Sequence, residues 1–127
     1  MEAVQAVALP PVLASDGPRP QILDLSHLRR FTMGSVAFER EVVGLFIAEL
    51  PKTLAGLERA QTAAEWHMAA HTLKGSALGI GACRLAQAAR EAERMKYLSP
   101  AERTETMSQI KAAILDVVGE AARLRLV

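Results

Sequence analysis

The chain has 127 residues, of which 50% are apolar, 23% charged and only 4% aromatic, with a net charge of +1. That length suits one domain around one core, and so balanced a charge, with no basic run interleaved with aromatics, argues against a nucleic-acid surface. One cysteine, Cys83, excludes an intrachain disulfide and a cysteine zinc cluster and points to a reducing cytoplasm, and nowhere do 18 apolar residues run together, which excludes a spanning helix.

Alanine and leucine dominate the apolar set, a bias towards helices. Residues 1 to about 20 hold Pro10, Pro11, Gly17, Pro18 and Pro20 and read as a flexible tail. The apolar stretch from Ala3 to Ala14 follows Glu2, lacks a basic n-region and is broken by prolines, so it does not read as a signal peptide. Residues 21–127 are then the folded domain. A short first helix is predicted from Asp24 or Ser26, with Leu25, Leu28 and Phe31 on one face and an end near Gly34. Ser35 caps a second helix to about Gln61, striped by Val43, Phe46, Leu50, Leu54 and Leu57, with a kink at Pro51.

A third helix is predicted from about Ala64 to Gly79, where Trp66, Ala70, Leu73, Ala77 and Ile80 alternate steps of four and three, a bundle seam. Gly79 and Gly81 end it. A fourth, from Ala82 to about Tyr97, turns Leu85, Ala88, Ala92 and Met95 inward and Arg84, Arg90, Glu91 and Arg94 outward. Ser99, Pro100 and Glu102 form a capping box with proline at the first helical position. The helix they open carries Met107, Ile110, Ile114, Val117, Ala121 and Leu124. No segment alternates with period two, and the connections are short, so the predicted fold is all-α: an antiparallel four-helix bundle with a short extra N-terminal helix.

The chain has three histidines, His27, His67 and His71. With the seam through Ala70 and Leu73 buried, His71 is rotated by about 100° from Ala70, and His67, Lys74, Gly75 and Leu78 share its stripe. An imidazole, an ammonium and a bare backbone in one stripe suit phosphoryl transfer. A neutral imidazole is a nucleophile near neutral pH; Lys74, one turn on, can offset charge on phosphoryl oxygens; and Gly75, which costs about 1 kcal/mol against alanine inside a helix, leaves room for a partner's loops. A lone exposed histidine or lysine carries little weight, since both are common on solvated helix faces.

The run Ala70-His71-Thr72-Leu73-Lys74-Gly75-Ser76-Ala77, followed by Ile80-Gly81-Ala82, resembles the signature of the histidine-containing phosphotransfer (HPt) family, in which lysine and glycine follow the histidine at three and four residues. Phe46 to Pro51 with Leu54 and Leu57 looks like that family's second helix, and Leu85 to Glu93 like its fourth, so the resemblance covers about residues 22–125. It implies a phosphorelay intermediate without autokinase activity, with His71 as phosphoacceptor, Lys74 neutralising phosphoryl charge and Gly75 giving clearance. The partners it implies are a response-regulator receiver domain and a sensor or hybrid histidine kinase, with no cofactor of its own, any metal ion coming from the receiver, and a monomeric, cytoplasmic state. The regulator would dock beside the histidine on a patch including His67, Gly75, Leu78, Leu28 and Phe31, although Leu28 and Phe31 equally fit a core. One position departs from some relatives, which place an amide on the fourth helix facing the histidine: here it falls at Glu93, a carboxylate that could orient the imidazole but would repel a phosphoryl group.

Three rivals are weaker. Zinc held by His67 and His71 lacks the glutamate that the zincin pattern needs at Met68, and no Glu-x-x-His motif of a di-iron bundle precedes either histidine. A kinase dimerisation helix would carry an acid at Thr72. A purely structural adaptor bundle binding another helix would not need His71, Lys74 and Gly75 in phase.

Overall fold

A computed structural model describes residues 20–95 and 99–127. Among these the chain is entirely helical: α1 (Leu25–Thr32), α2 (Val36–Arg59), α3 (Ala63–Ile80), α4 (Cys83–Arg94) and α5 (Pro100–Arg123). The proline-rich tail, apart from Pro20, and the expected last residues of the fourth helix at Tyr97 lie outside the described residues.

Each helix begins where a side chain can satisfy its free amides, except α4. Asp24 accepts from the His27 N–H, Ser35 from Phe38, Thr62 from Glu65 and Ser99 from Glu102. The last two are full capping boxes, with Glu65 and Glu102 returning a carboxylate to the amide of the cap residue. The α2 helix runs unbroken through Pro51, which withdraws one donor from the ladder without ending it. The α4 helix stops earlier than expected: the Met95 backbone is extended and its amide bonds to Ala92 O. Its buried face is also broader than the expected stripe. Leu85, Ala86, Ala89 and Ala92 are buried while Ala88 and Met95 are half-buried, because α4 faces both α3 and α5.

The connections α2–α3, α3–α4 and α4–α5 are short and α5 closes back on α2, giving a four-helix bundle in which α3 and α4 form the most extensive pairing. All five residues of the α3 seam, Trp66, Ala70, Leu73, Ala77 and Ile80, are buried. At one end Trp66 donates from Nε1 to Ala92 O at 2.8 Å, and Arg103 lies over its ring at 5.1 Å from the centroid. The same guanidinium donates to Leu57 O and Ala60 O at 2.8 and 2.6 Å, capping the C-terminal carbonyls of α2 from α5.

At the other end α1 is stapled over the α3–α4 turn. Asp24 N–H donates to Gly81 O at 2.8 Å, Arg84 N–H to Gln21 O at 3.0 Å, and His27 Nε2 to Gly79 O at 3.0 Å. Leu28 plugs the gap beneath with no exposed surface. It is therefore core, and its expected place in a docking patch is corrected: the hydrogen bonds that seat α1 turn this residue inward.

The staple requires glycine at residue 81. Its φ is +83°, and a Cβ there would stand 2.9 Å from Asp24 O, closer than side-chain carbons approach main-chain oxygens. Gly79, two residues earlier, is exposed with open space around the same position. Gly81→Ala should therefore lower stability by about 2–3 kcal/mol, combining left-handed strain with the clash, whereas Gly79→Ala should be neutral or stabilise by up to about 1 kcal/mol. Urea unfolding of the two variants checks this; equal effects would contradict the assignment.

Candidate functional site

One exposed face of α3 carries His67, His71, Lys74, Gly75 and Leu78, as the helical phase requires. Three of these side chains converge on a single group from the neighbouring helix. Glu93, in the last turn of α4, reaches across with its side chain only 12% exposed. Its Oε1 accepts from Lys74 Nζ at 2.6 Å and its Oε2 from His71 Nδ1 at 2.7 Å. His67 lies alongside, its Nδ1 donating to the Glu93 main-chain oxygen at 3.1 Å and its Nε2 3.6 Å from Oε2. The two imidazoles are nearly parallel, with centroids 6.3 Å apart and planes 10° from each other.

This arrangement sets the chemistry of the His71 ring. The hydrogen bonds from Lys74, then from His71, hold the Glu93 carboxyl down to about 2 against an ordinary 4.5, although partial burial pushes the other way. At neutral pH Glu93 is thus an ionised carboxylate, which can only accept. His71 Nδ1 must then be the donor, so in the neutral ring the lone pair belongs to Nε2. His71 is 59% exposed, and among the described residues Nε2 has no hydrogen-bond partner. A free nucleophilic nitrogen stands on the surface with its opposite nitrogen tied down.

The surroundings leave that nitrogen accessible. Gly75, one turn beyond, has nothing among the described residues within 4 Å of where a Cβ would stand. Leu78 is exposed further along the stripe, and Phe31 is exposed on α1, stacked on Phe38 of α2 with centroids 5.9 Å apart. A groove between α1, α2 and α3 is lined by Phe31, Leu45, Glu49, Thr53 and Ser76, the last being the residue next to Gly75.

The structure thus brings together His67, His71, Lys74, Gly75 and Leu78, places Phe31 on the rim of the adjoining groove and removes Leu28 to the core. The pairing of Lys74 with Glu93 does not follow from the α3 stripe alone. Lysine phase on α3 is readable, but its neighbour comes from a helix whose register against α3 is set by tertiary packing. Residues 41–122 match the family model for the Hpt domain. The chain belongs to the Hpt domain family. Searches of curated proteins and of solved structures return no significant match. Hpt domains are helical bundles that carry histidine phosphotransfer in phosphorelays, and in this one α1 precedes the matched segment. Among the described residues no helix is long and apolar enough to cross a membrane.

The lowered Glu93 value has a direct consequence for this Hpt domain. A carboxyl ionising near 4.5 when unfolded and near 2 when folded contributes stability that is fully present above pH 4.5 and lost as pH falls through about 2. Acid titrations followed by circular dichroism should show the stability gap between the wild type and Glu93→Gln constant above pH 5 and shrinking between about 4.5 and 2; a gap independent of pH across that window would contradict the clamp.

Proposed function

We propose that His71 is the phosphoacceptor of this Hpt domain, taking a phosphoryl group on Nε2 and exchanging it with the aspartate of a response-regulator receiver domain. The observation that carries this reading is the exposed Nε2, without a hydrogen-bond partner among the described residues, beside the bare backbone at Gly75. In-line displacement at phosphorus needs a nucleophile with a free lone pair, an open approach and counter-charge for the equatorial oxygens. His71 supplies the first and Gly75 supports the second. Lys74 can supply the third once it exchanges Glu93 for phosphoryl oxygens.

In this reading the receiver domain brings the metal ion and the acidic residues, so the bundle acts without a cofactor of its own. A sensor or hybrid histidine kinase stands at the other end of the relay, and all three work in the cytoplasm. The receiver is accommodated over Gly75 and Leu78, with Phe31 and the adjoining groove offering apolar surface at the edge. His67 lines the same approach. Its Nδ1 is tied to the main chain and it sits one turn further from Gly75, which favours a role in the rim over one as a second acceptor.

The test is direct. Incubated with ATP and an active hybrid kinase, or with a phosphorylated receiver, the wild type should take up acid-labile, alkali-stable label that His71→Gln abolishes; a broad panel of kinases and receivers giving no label would sink the proposal. Gly75→Gln introduces a side chain into open space, so its melting temperature should change little while transfer slows by at least tenfold through obstructed approach. An unimpeded Gly75→Gln protein would remove the clearance role.

A further inference from the structure

The two histidines of α3 share a property that the phosphoacceptor reading uses in only one of them. In both rings Nδ1 is tied to the same residue of α4: His67 donates to the Glu93 main-chain oxygen at 3.1 Å and His71 to its carboxylate at 2.7 Å. Carbonyl and carboxylate oxygens only accept, so each neutral imidazole keeps its lone pair on Nε2. We propose that His67 and His71 form a chelating site for a divalent metal ion of the class that imidazoles bind, such as Zn2+, Ni2+ or Cu2+, and that an ion held there blocks phosphorylation of His71. The block rests on the reading of His71 as phosphoacceptor; the chelate does not.

Spacing, access and support carry the site. Residues four apart lie one above the other on a helix, the spacing at which two imidazoles bind one ion from a helix face. The rings are nearly parallel, with planes 10° apart and centroids separated by 6.3 Å. Their side chains are 58% and 59% exposed, which leaves them room to swing together until both nitrogens stand about 2.0–2.1 Å from one ion. Support comes from behind the rings. Histidines that ligate metals almost always donate their other N–H to a carboxylate, a main-chain carbonyl or water, which fixes the tautomer and orients the ring. Glu93 provides one such acceptor for each ring before any ion arrives. Its carboxylate, 3.6 Å from His67 Nε2, also favours a cation nearby, although Lys74 on the other oxygen offsets part of that charge.

Among the described residues no group of three or more histidine, cysteine or carboxylate side chains is placed to hold a metal ion. The ion therefore keeps water in its other positions, and its affinity comes from the two imidazoles acting together. With Met68 after His67 there is no glutamate to act as a base, so the pair is not a hydrolytic centre. Its effect is inhibitory. Nε2 of His71 has a single lone pair, which forms either a bond to the ion or the N–P bond, so chelation and phosphorylation exclude one another.

The experiment uses the full chain labelled with 15N at histidine and Zn2+ as the probe. Titration should give one ion per chain and shift the Nε2 resonances of His67 and His71 together. Either His67→Gln or His71→Gln should weaken binding at least tenfold, because the second nitrogen of a chelate binds intramolecularly. At a zinc concentration ten times the dissociation constant, labelling of the wild type by phosphoramidate should fall about tenfold, as the free fraction of His71 does. In His67→Gln the same zinc concentration should leave labelling close to that of the same variant without zinc. Undiminished affinity in His67→Gln, or a shift confined to one ring, overturns the chelate while the acceptor reading stands. Wild-type labelling that zinc does not slow overturns the block. Label that persists in His71→Gln would overturn the acceptor reading and the block with it, and the chelate would stand on the titration alone.

Discussion

The site depends on how closely α4 lies against α3. Ala70 and Ala77 on one helix and Ala86, Ala89 and Ala92 on the other are all buried, and side chains of one carbon let two backbones approach more nearly than leucines would. Only at that separation can a glutamate in the last turn of α4 reach two residues on the exposed face of α3 at hydrogen-bond distance. Trp66 fixes the register at the same end by bonding Ala92 O, the carbonyl immediately before Glu93. Replacing the alanines by larger residues would separate the helices and leave His71 without its partner.

The rest of the bundle holds that pair in place and keeps its outer side clear. Arg103 ties α5 to the end of α2 and covers Trp66, so the element that positions Glu93 is clamped from behind. At the opposite end α1 is pinned by main-chain bonds to the α3–α4 turn and by an ion pair from Arg29 to the buried Glu39 of α2 at 3.4 Å. That placement buries Leu28 and leaves Phe31 projecting beside the groove. In the proposed reading, rigid helices with the site on one lateral face suit a carrier, which presents Nε2 of His71 outward on a regular element and leaves the rest of the chemistry to a partner.

Much of this was legible in the amino-acid pattern. The α3 seam of Trp66, Ala70, Leu73, Ala77 and Ile80 is buried throughout, the Ser99 capping box opens α5 where the Ser-Pro-x-Glu order placed it, and the phase of His71, Lys74 and Gly75 follows from 3.6 residues per turn once that seam is known. Local rules sufficed because each of these features is written in consecutive residues. A second capping box at Thr62 and Glu65 carries the same signal and opens α3 at Ala63, one residue before the start that the apolar stripe alone suggests. What could not be read came from contacts distant in sequence. Whether Leu28 or Phe31 faces the core depends on how α1 is seated over Gly81, and the end of α4 at Arg94 has no glycine or proline to mark it. The partnership of Lys74 with Glu93, 19 positions further along, depends on helix register across an interface; the carboxylate could be suspected of facing His71 only from the family resemblance.

The account stands on one nitrogen: Nδ1 of His71 is held by Glu93, which leaves the lone pair on Nε2, a nitrogen with no hydrogen-bond partner among the described residues. Phosphorylating the histidine-15N chain and reading the phosphorus coupling within the His71 ring shows which nitrogen bears the phosphoryl group. The structure calls for coupling to Nε2 of His71, with Nδ1 still protonated. Coupling to Nδ1, or a phosphoryl group carried by His67 in place of His71, would contradict it.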